Sequence, residues 1–274
     1  MPLTPDYRTA LVDSHCHVAP NWYEPVDVLL AQMDRAGVAQ AVLVQLLGCY
    51  DNRYLLDCAK RYPQRFAVVV AVDVAGSDAA QQLARARDAG AAGVRLRPTA
   101  RSPGTDPLAL WRSAEALGMP VSCVGNPSSF ASMEFQQVLD SLPGLRVVLE
   151  HLGGSSAADT SEELRAARAR SLLLARYPQV TIKLPGLGEF EPRASALNSE
   201  QIPVDFESAR RVLAEVLKSF GPERLMWGSD FPVVSSREGY GNALGWCREL
   251  VNELAGPAGA TIFGATARTL FRLP

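Results

Sequence analysis

Runs of apolar residues short enough for strands alternate eight times with helix-like segments of crossover length, and this alternation limits the fold more than any other feature of the chain. The runs end near residues 13, 46, 72, 96, 124, 150, 184 and 229. VAQAVLVQLL and RFAVVVAVDV are almost continuously apolar, as a parallel strand covered on its outer face requires. Between the runs lie segments such as SDAAQQLARARDAG, rich in good helix formers and stopped by glycine. Pro25 suits the start of a helix reaching Ala36, and Gly37 suits its C-cap. Regular alternation predicts a parallel α/β protein, and eight units in about 250 residues predict a single-domain (β/α)8 TIM barrel. The rival is an open doubly wound sheet, but no glycine-rich dinucleotide fingerprint follows the first strand. GNALGWCRELVNELAG and TIFGATARTLFRLP are expected to close the ring.

The 27 basic and 29 acidic residues nearly cancel and form no dominant basic block, which argues against a nucleic-acid or polybasic membrane surface and for small molecules or other proteins as partners, a small-molecule substrate above all. The N-terminus lacks a signal-peptide pattern and no segment has the length of a membrane span, so a cytoplasmic location is expected. The five cysteines are scattered, odd in number and without a C-x-x-C, which suits free thiols in a reducing compartment. Homo-oligomer formation is left open.

In a barrel, residues at the C-terminal ends of different strands share one basin. LVDSHCHV places two of only three histidines, His15 and His17, two apart, so an extended backbone turns both to one face and Cys16 to the other. His151 ends strand six, Lys183 lies in strand seven, where it can donate to a substrate oxyanion, and Asp230 ends strand eight, next to strand one. His15, His17 and Asp230 form an N/N/O set suited to one divalent ion, Zn²⁺ above all, with an open position for water. Without a metal, Asp230 serves as general base while imidazoles polarise a carbonyl. Each residue also has an ordinary structural use: Asp230 as a turn cap, His151 as a brace for the GG turn, Lys183 as a partner of Glu150. Arg95 or Arg97 offers a two-point bond to a substrate carboxylate. Trp22 and Tyr23, with Tyr50 and Asn52, supply an aromatic and hydrogen-bonding wall, or else pack loops together. The segments RSPGTD, GGSSAADTSEE and EFEPRASALNSEQIPVD come after strands, the last being long enough for a lid, and SSREGYGN is a further wall. No serine sits in a G-x-S-x-G elbow, which removes the simplest serine-hydrolase case.

DSHCH, VRLRP, EHLGG, VTIKLPG, RLMWGSDFPV and TARTLF, in this order through nearly the whole chain, resemble the amidohydrolase-related family and, more narrowly, its lactonase-like branch. The resemblance implies a distorted (β/α)8 barrel that hydrolyses cyclic esters or amides. It assigns the histidine pair to His15 and His17, the strand-six histidine to His151 and the strand-eight acid to Asp230. Many metal-bearing relatives also carry a histidine on strand five; MPVSCVGNPSS has none, with Cys123 the nearest replacement and Asn126 the next. The departure disfavours a binuclear site and leaves mononuclear or metal-independent chemistry. The expected activity is that of a hydrolase opening a small polar or anionic lactone. The alternatives are a metal-dependent decarboxylase, a small-amide hydrolase and a non-catalytic metabolite-binding barrel whose Asp230 is tied to a fixed cation.

Overall fold

In the computed structural model, which describes residues 10–155, 161–190 and 206–273, the apolar runs form one sheet of eight parallel strands in sequence order. The strands are β1 (Leu11–Cys16), β2 (Val38–Val44), β3 (Phe66–Val70), β4 (Gly93–Leu96), β5 (Val121–Cys123), β6 (Val147–Leu149), β7 (Val180–Leu184) and β8 (Leu225–Trp227). Helices intervene throughout, giving the expected (β/α)8 barrel. The first helix is Val26–Ala36, with Pro25 at its N-cap and Gly37 at φ 70° as its C-cap. GGSSAADTSEE lies partly, and the candidate lid almost wholly, outside the described residues.

Side-chain alternation divides the core into two layers. Leu43, Val68, Val70, Val94, Leu96, Val121, Cys123, Leu149, Ile182 and Leu184 pack outwards against the helices. Val12, Val42, Val44, Ala67, Val69, Val148 and Met226 pack inwards, against Ala267, Leu270, Phe271 and Leu273 of the tail. Helix Ala265–Phe271 therefore stoppers one end of the barrel, a different use from the ring closure expected of TARTLF. Between their outward neighbours, Arg95, Ser122 and Lys183 project inwards above that apolar plug; the Lys183 ammonium lies 5.8 Å over the Phe271 ring.

Closure between β1 and β8 occurs at the opposite end. The Asp230 N–H donates to the His15 carbonyl at 2.8 Å, and the His17 N–H donates to the Phe231 carbonyl at 2.7 Å. Below them the buried Asp13 carboxylate accepts from the Ser229 N–H and hydroxyl, the Tyr240 hydroxyl and the His15 N–H. Burial pushes the Asp13 carboxyl up, an effect these hydrogen bonds only partly offset. The contacts that close the ring thus hold the candidate catalytic residues.

Candidate metal and catalytic centre

Val12 points into the barrel, so strict alternation would turn His15 outwards, three residues on. An irregularity in the β1–β2 register between Asp13 and Cys16 corrects the parity and brings His15 inside. Cys16 then faces the outer layer, where its thiol donates to the Val42 carbonyl and burial pushes its pKa far up. The His17 ring comes just past the strand, at 86° to the His15 ring with centroids 4.8 Å apart.

Asp230 Oδ1 lies 3.5 Å from His17 Nε2 and 3.8 Å from His15 Nε2. Asp230 has φ +59° and His151 φ +51°, a left-handed backbone costly to any residue with a Cβ. His151 opens four consecutive left-handed residues, His151, Leu152, Gly153 and Gly154. A Cβ on Gly154 would run into the Gly125 carbonyl, so the EHLGG turn needs glycine for space as well as φ. Two strained residues from separate strands meeting at one basin fit a functional centre better than a simple cap or brace. Burial alone would raise the Asp230 carboxyl; the His17 hydrogen bond and the charges of His151, His17 and Arg237 outweigh it and hold Asp230 below the usual range. Asp230 is therefore a carboxylate at neutral pH.

The two clamp histidines are held differently. His17 Nδ1 lies 2.6 Å from the Val44 carbonyl, to which it must donate, so Nε2 is the nitrogen left facing Asp230. His15 Nδ1 faces Lys183 Nζ at 2.9 Å, while its buried Nε2 has no hydrogen-bond partner among the described residues. Burial, reinforced by Lys183 and the other nearby cations, pushes the His15 pKa far down and keeps the ring neutral. Lys183 also donates to Ser122 Oγ, which in turn donates to Glu150 Oε1, and Glu150 receives the fork of Arg95. Burial and the charge of Arg95 bring Lys183 down to about 8, against the pull of Glu150.

One potential ligand atom from each of His15, His17 and Asp230 lies within 4.8 Å of the others. The Nε2 atoms of His15 and His17 and the Asp230 carboxylate form a donor set that fits one divalent ion. Coordination by His15 requires its proton at Nδ1 with Lys183 as the accepting amine, so loading displaces a proton.

The remaining side chains expected at the site divide between the buried network, the rim and the outer core. Arg95 is buried, and its guanidinium is filled by Glu150 and the Gln45 carbonyl. Arg97 is exposed and lines a rim groove of about 450 Å³ with Tyr50, Asp73 and Thr99. Lys183 and Glu150 are linked through Ser122. Trp22 is 81% exposed, whereas the Tyr23 ring lies 5.8 Å from that of His17. Asn52 spends its amide on the backbone of Ala71 and Tyr50. On β5 the inward side chain is Ser122; Cys123 belongs to the outer core, and Asn126 caps the short helix Pro127–Phe130. Glu189 and Arg237, which the sequence did not single out, border the basin, with Arg237 Nη2 3.9 Å from Asp230 Oδ2. That separation exceeds a hydrogen bond, so the arginine does not tie up Asp230.

Among the described residues no helix is long and apolar enough to cross a membrane. A family model for amidohydrolases matches residues 12–273. The chain is 32% identical over 256 residues to L-fucono-1,5-lactonase from Burkholderia ambifaria, covering 87% of this chain and 82% of that protein. Among solved structures it resembles a Pseudomonas putida protein described as a putative 2-pyrone-4,6-dicarboxylic acid hydrolase, at 25% identity and a TM-score of 0.76, covering 97% of this chain and 98% of the other. A Burkholderia multivorans amidohydrolase crystallised with zinc shares the fold at 23% identity and a TM-score of 0.78, covering 97% and 100%. The (β/α)8 barrel, the histidine–aspartate centre at its mouth and a match spanning almost the whole chain make this protein a member of the amidohydrolase family.

Proposed function

We propose that the protein opens a small, polar lactone by direct attack of water, with Asp230 as the base. The observation that carries this reading is the Asp230 carboxylate, ionised at neutral pH and facing two imidazoles at the end of β8. Similarity across most of the chain to an L-fucono-1,5-lactonase supports a lactone as substrate.

Asp230 takes a proton from water as the water oxygen attacks the lactone carbonyl carbon. His151, at the basin wall, donates to the carbonyl oxygen as negative charge develops there. Burial alone would lower the His151 pKa, but the Glu189 hydrogen bond and charge, with Asp230 and Glu150, hold it above its ordinary value. When the tetrahedral intermediate collapses, the ring C–O bond breaks and Asp230 returns its proton to the departing oxygen, giving a hydroxy acid. His15, His17 and Asp230 would hold a divalent ion, which when bound would supply Lewis acidity to the same chemistry. No covalent nucleophile is required. Among the side chains expected to meet substrate, Tyr23 and the exposed Arg97, Trp22 and Tyr50 remain available for orienting it.

The Lys183–His15 contact favours a second reading in one respect. With Lys183 as donor, His15 carries its proton on Nε2 and polarises the substrate without a metal. Metal analysis and a panel of aldonolactones, assayed before and after chelation, separate the two. The metal reading predicts about one ion per chain and turnover that falls on chelation and returns with Zn²⁺. Full turnover by verified metal-free protein contradicts it, and no turnover of any lactone by metal-loaded protein contradicts the lactonase reading itself.

A further inference from the structure

We infer that Glu189 is a positioning residue that aims the His151 ring into the basin, and that Arg237 locks Glu189 in place from the neighbouring loop. The inference rests on the proposed contact between His151 and substrate.

The left-handed turn fixes the His151 backbone but leaves the ring free to rotate about its side-chain bonds. Glu189 removes that freedom, because its Oε2 lies 3.1 Å from His151 Nδ1. With Nδ1 committed, Nε2 is the nitrogen left for the basin, where the His151 ring stands 5.0 Å from that of His15 at 78°. The arrangement is the carboxylate–histidine pairing that orients catalytic and metal-binding imidazoles elsewhere.

A flexible glutamate would orient poorly, and this one is clamped. Arg237 Nη1 donates to the same Glu189 oxygen at 3.0 Å. Glu238, the next residue, accepts from the Gly188 N–H at 3.1 Å. A Cβ on Gly188 would collide with that Glu238 carboxylate, so a glycine beside Glu189 is what lets the two loops meet. Arg237 Nε and Nη2 are buried without hydrogen-bond partners among the described residues, and Nε lies 3.4 Å from Glu238 Oε2. Arg237 is therefore oriented by the carboxylates around it. Through this chain the loops after β7 and β8 jointly set a side chain that leaves β6.

The test uses full-length Glu189→Leu, Glu189→Gln and Arg237→Met, assayed with the lactone that wild type hydrolyses fastest. Glu189→Leu should lower kcat by about 10- to 100-fold with KM unchanged. Glu189→Gln, which keeps an acceptor for Nδ1–H, should recover most of the rate. With only three histidines, ¹⁵N-histidine spectra resolve each ring; the leucine variant should perturb His151 and leave His15 and His17 in place. Undiminished kcat in Glu189→Leu, a glutamine variant as slow as the leucine variant, or an unmoved His151 signal overturns the inference. If Glu189→Leu fails to fold, Arg237→Met carries the same test, and unchanged kcat with unchanged His151 resonances contradicts it. If wild type opens no lactone, the proposed function fails and the spectra alone decide the positioning claim.

Discussion

Arg95 lies beneath the basin with its guanidinium forked onto Glu150, whose other oxygen accepts from Ser122. Burial would raise the Glu150 carboxyl, but Arg95 and Lys183 bring it from 4.5 down to about 2. A folded-state value below the unfolded one contributes stability that is complete above about pH 4.5 and lost as pH falls through about 2. Arg95→Met should cost about 3–5 kcal/mol at neutral pH, because it leaves a buried carboxylate unpaired. Urea unfolding at pH 7 checks this, and a loss below about 1 kcal/mol would show that Glu150 finds another partner or becomes neutral. The same titration in wild type should show the Glu150 contribution disappearing only between about pH 4.5 and 2. Lys183 belongs to this buried network and reaches the basin through His15.

Between residue and fold stands the EHLGG turn, which delivers His151 through four consecutive left-handed residues. Gly154→Ala forces a Cβ onto the Gly125 carbonyl and into a backbone that alanine resists. It should cost at least about 1 kcal/mol and lower kcat, since any relief of the clash moves His151. A variant with wild-type melting and turnover would show that the turn tolerates a side chain. Elements of this kind explain what the sequence made legible. The eight apolar runs, Pro25 and Gly37 marked their elements because local chemistry dictates them. The sequence placed Lys183 beside Glu150 and held a further signal for the rest of the buried network. Arg95, Ser122 and Lys183 are each a polar residue between apolar neighbours in a buried strand, so alternation turns all three into the barrel. Which groups they meet depends on strands far apart in sequence. The change of parity that brings His15 inside left no local mark, and neither did the meeting of Glu189 with Arg237, which joins two loops.

For the whole molecule, barrel closure and site assembly are one event. The β1–β8 hydrogen bonds run through the backbones of His15, His17, Asp230 and Phe231, while the Asp13 clasp holds Ser229 and Tyr240 below them. At the far end, helix Ala265–Phe271 fills the barrel with apolar side chains, while His15, His17 and Asp230 meet at the mouth. A basin held by the closing hydrogen bonds suits a carboxylate and imidazoles that must be aligned before substrate arrives. If this basin hydrolyses lactones through Asp230, removing that one negative charge must stop the reaction without unfolding the barrel. The decisive experiment is ring opening of the best lactone by wild type and by folded Asp230→Asn under identical metal loading. A fall in kcat of about 10²- to 10⁴-fold, with the melting temperature retained, is the predicted result. Turnover by Asp230→Asn within a few-fold of wild type would contradict Asp230 as the base.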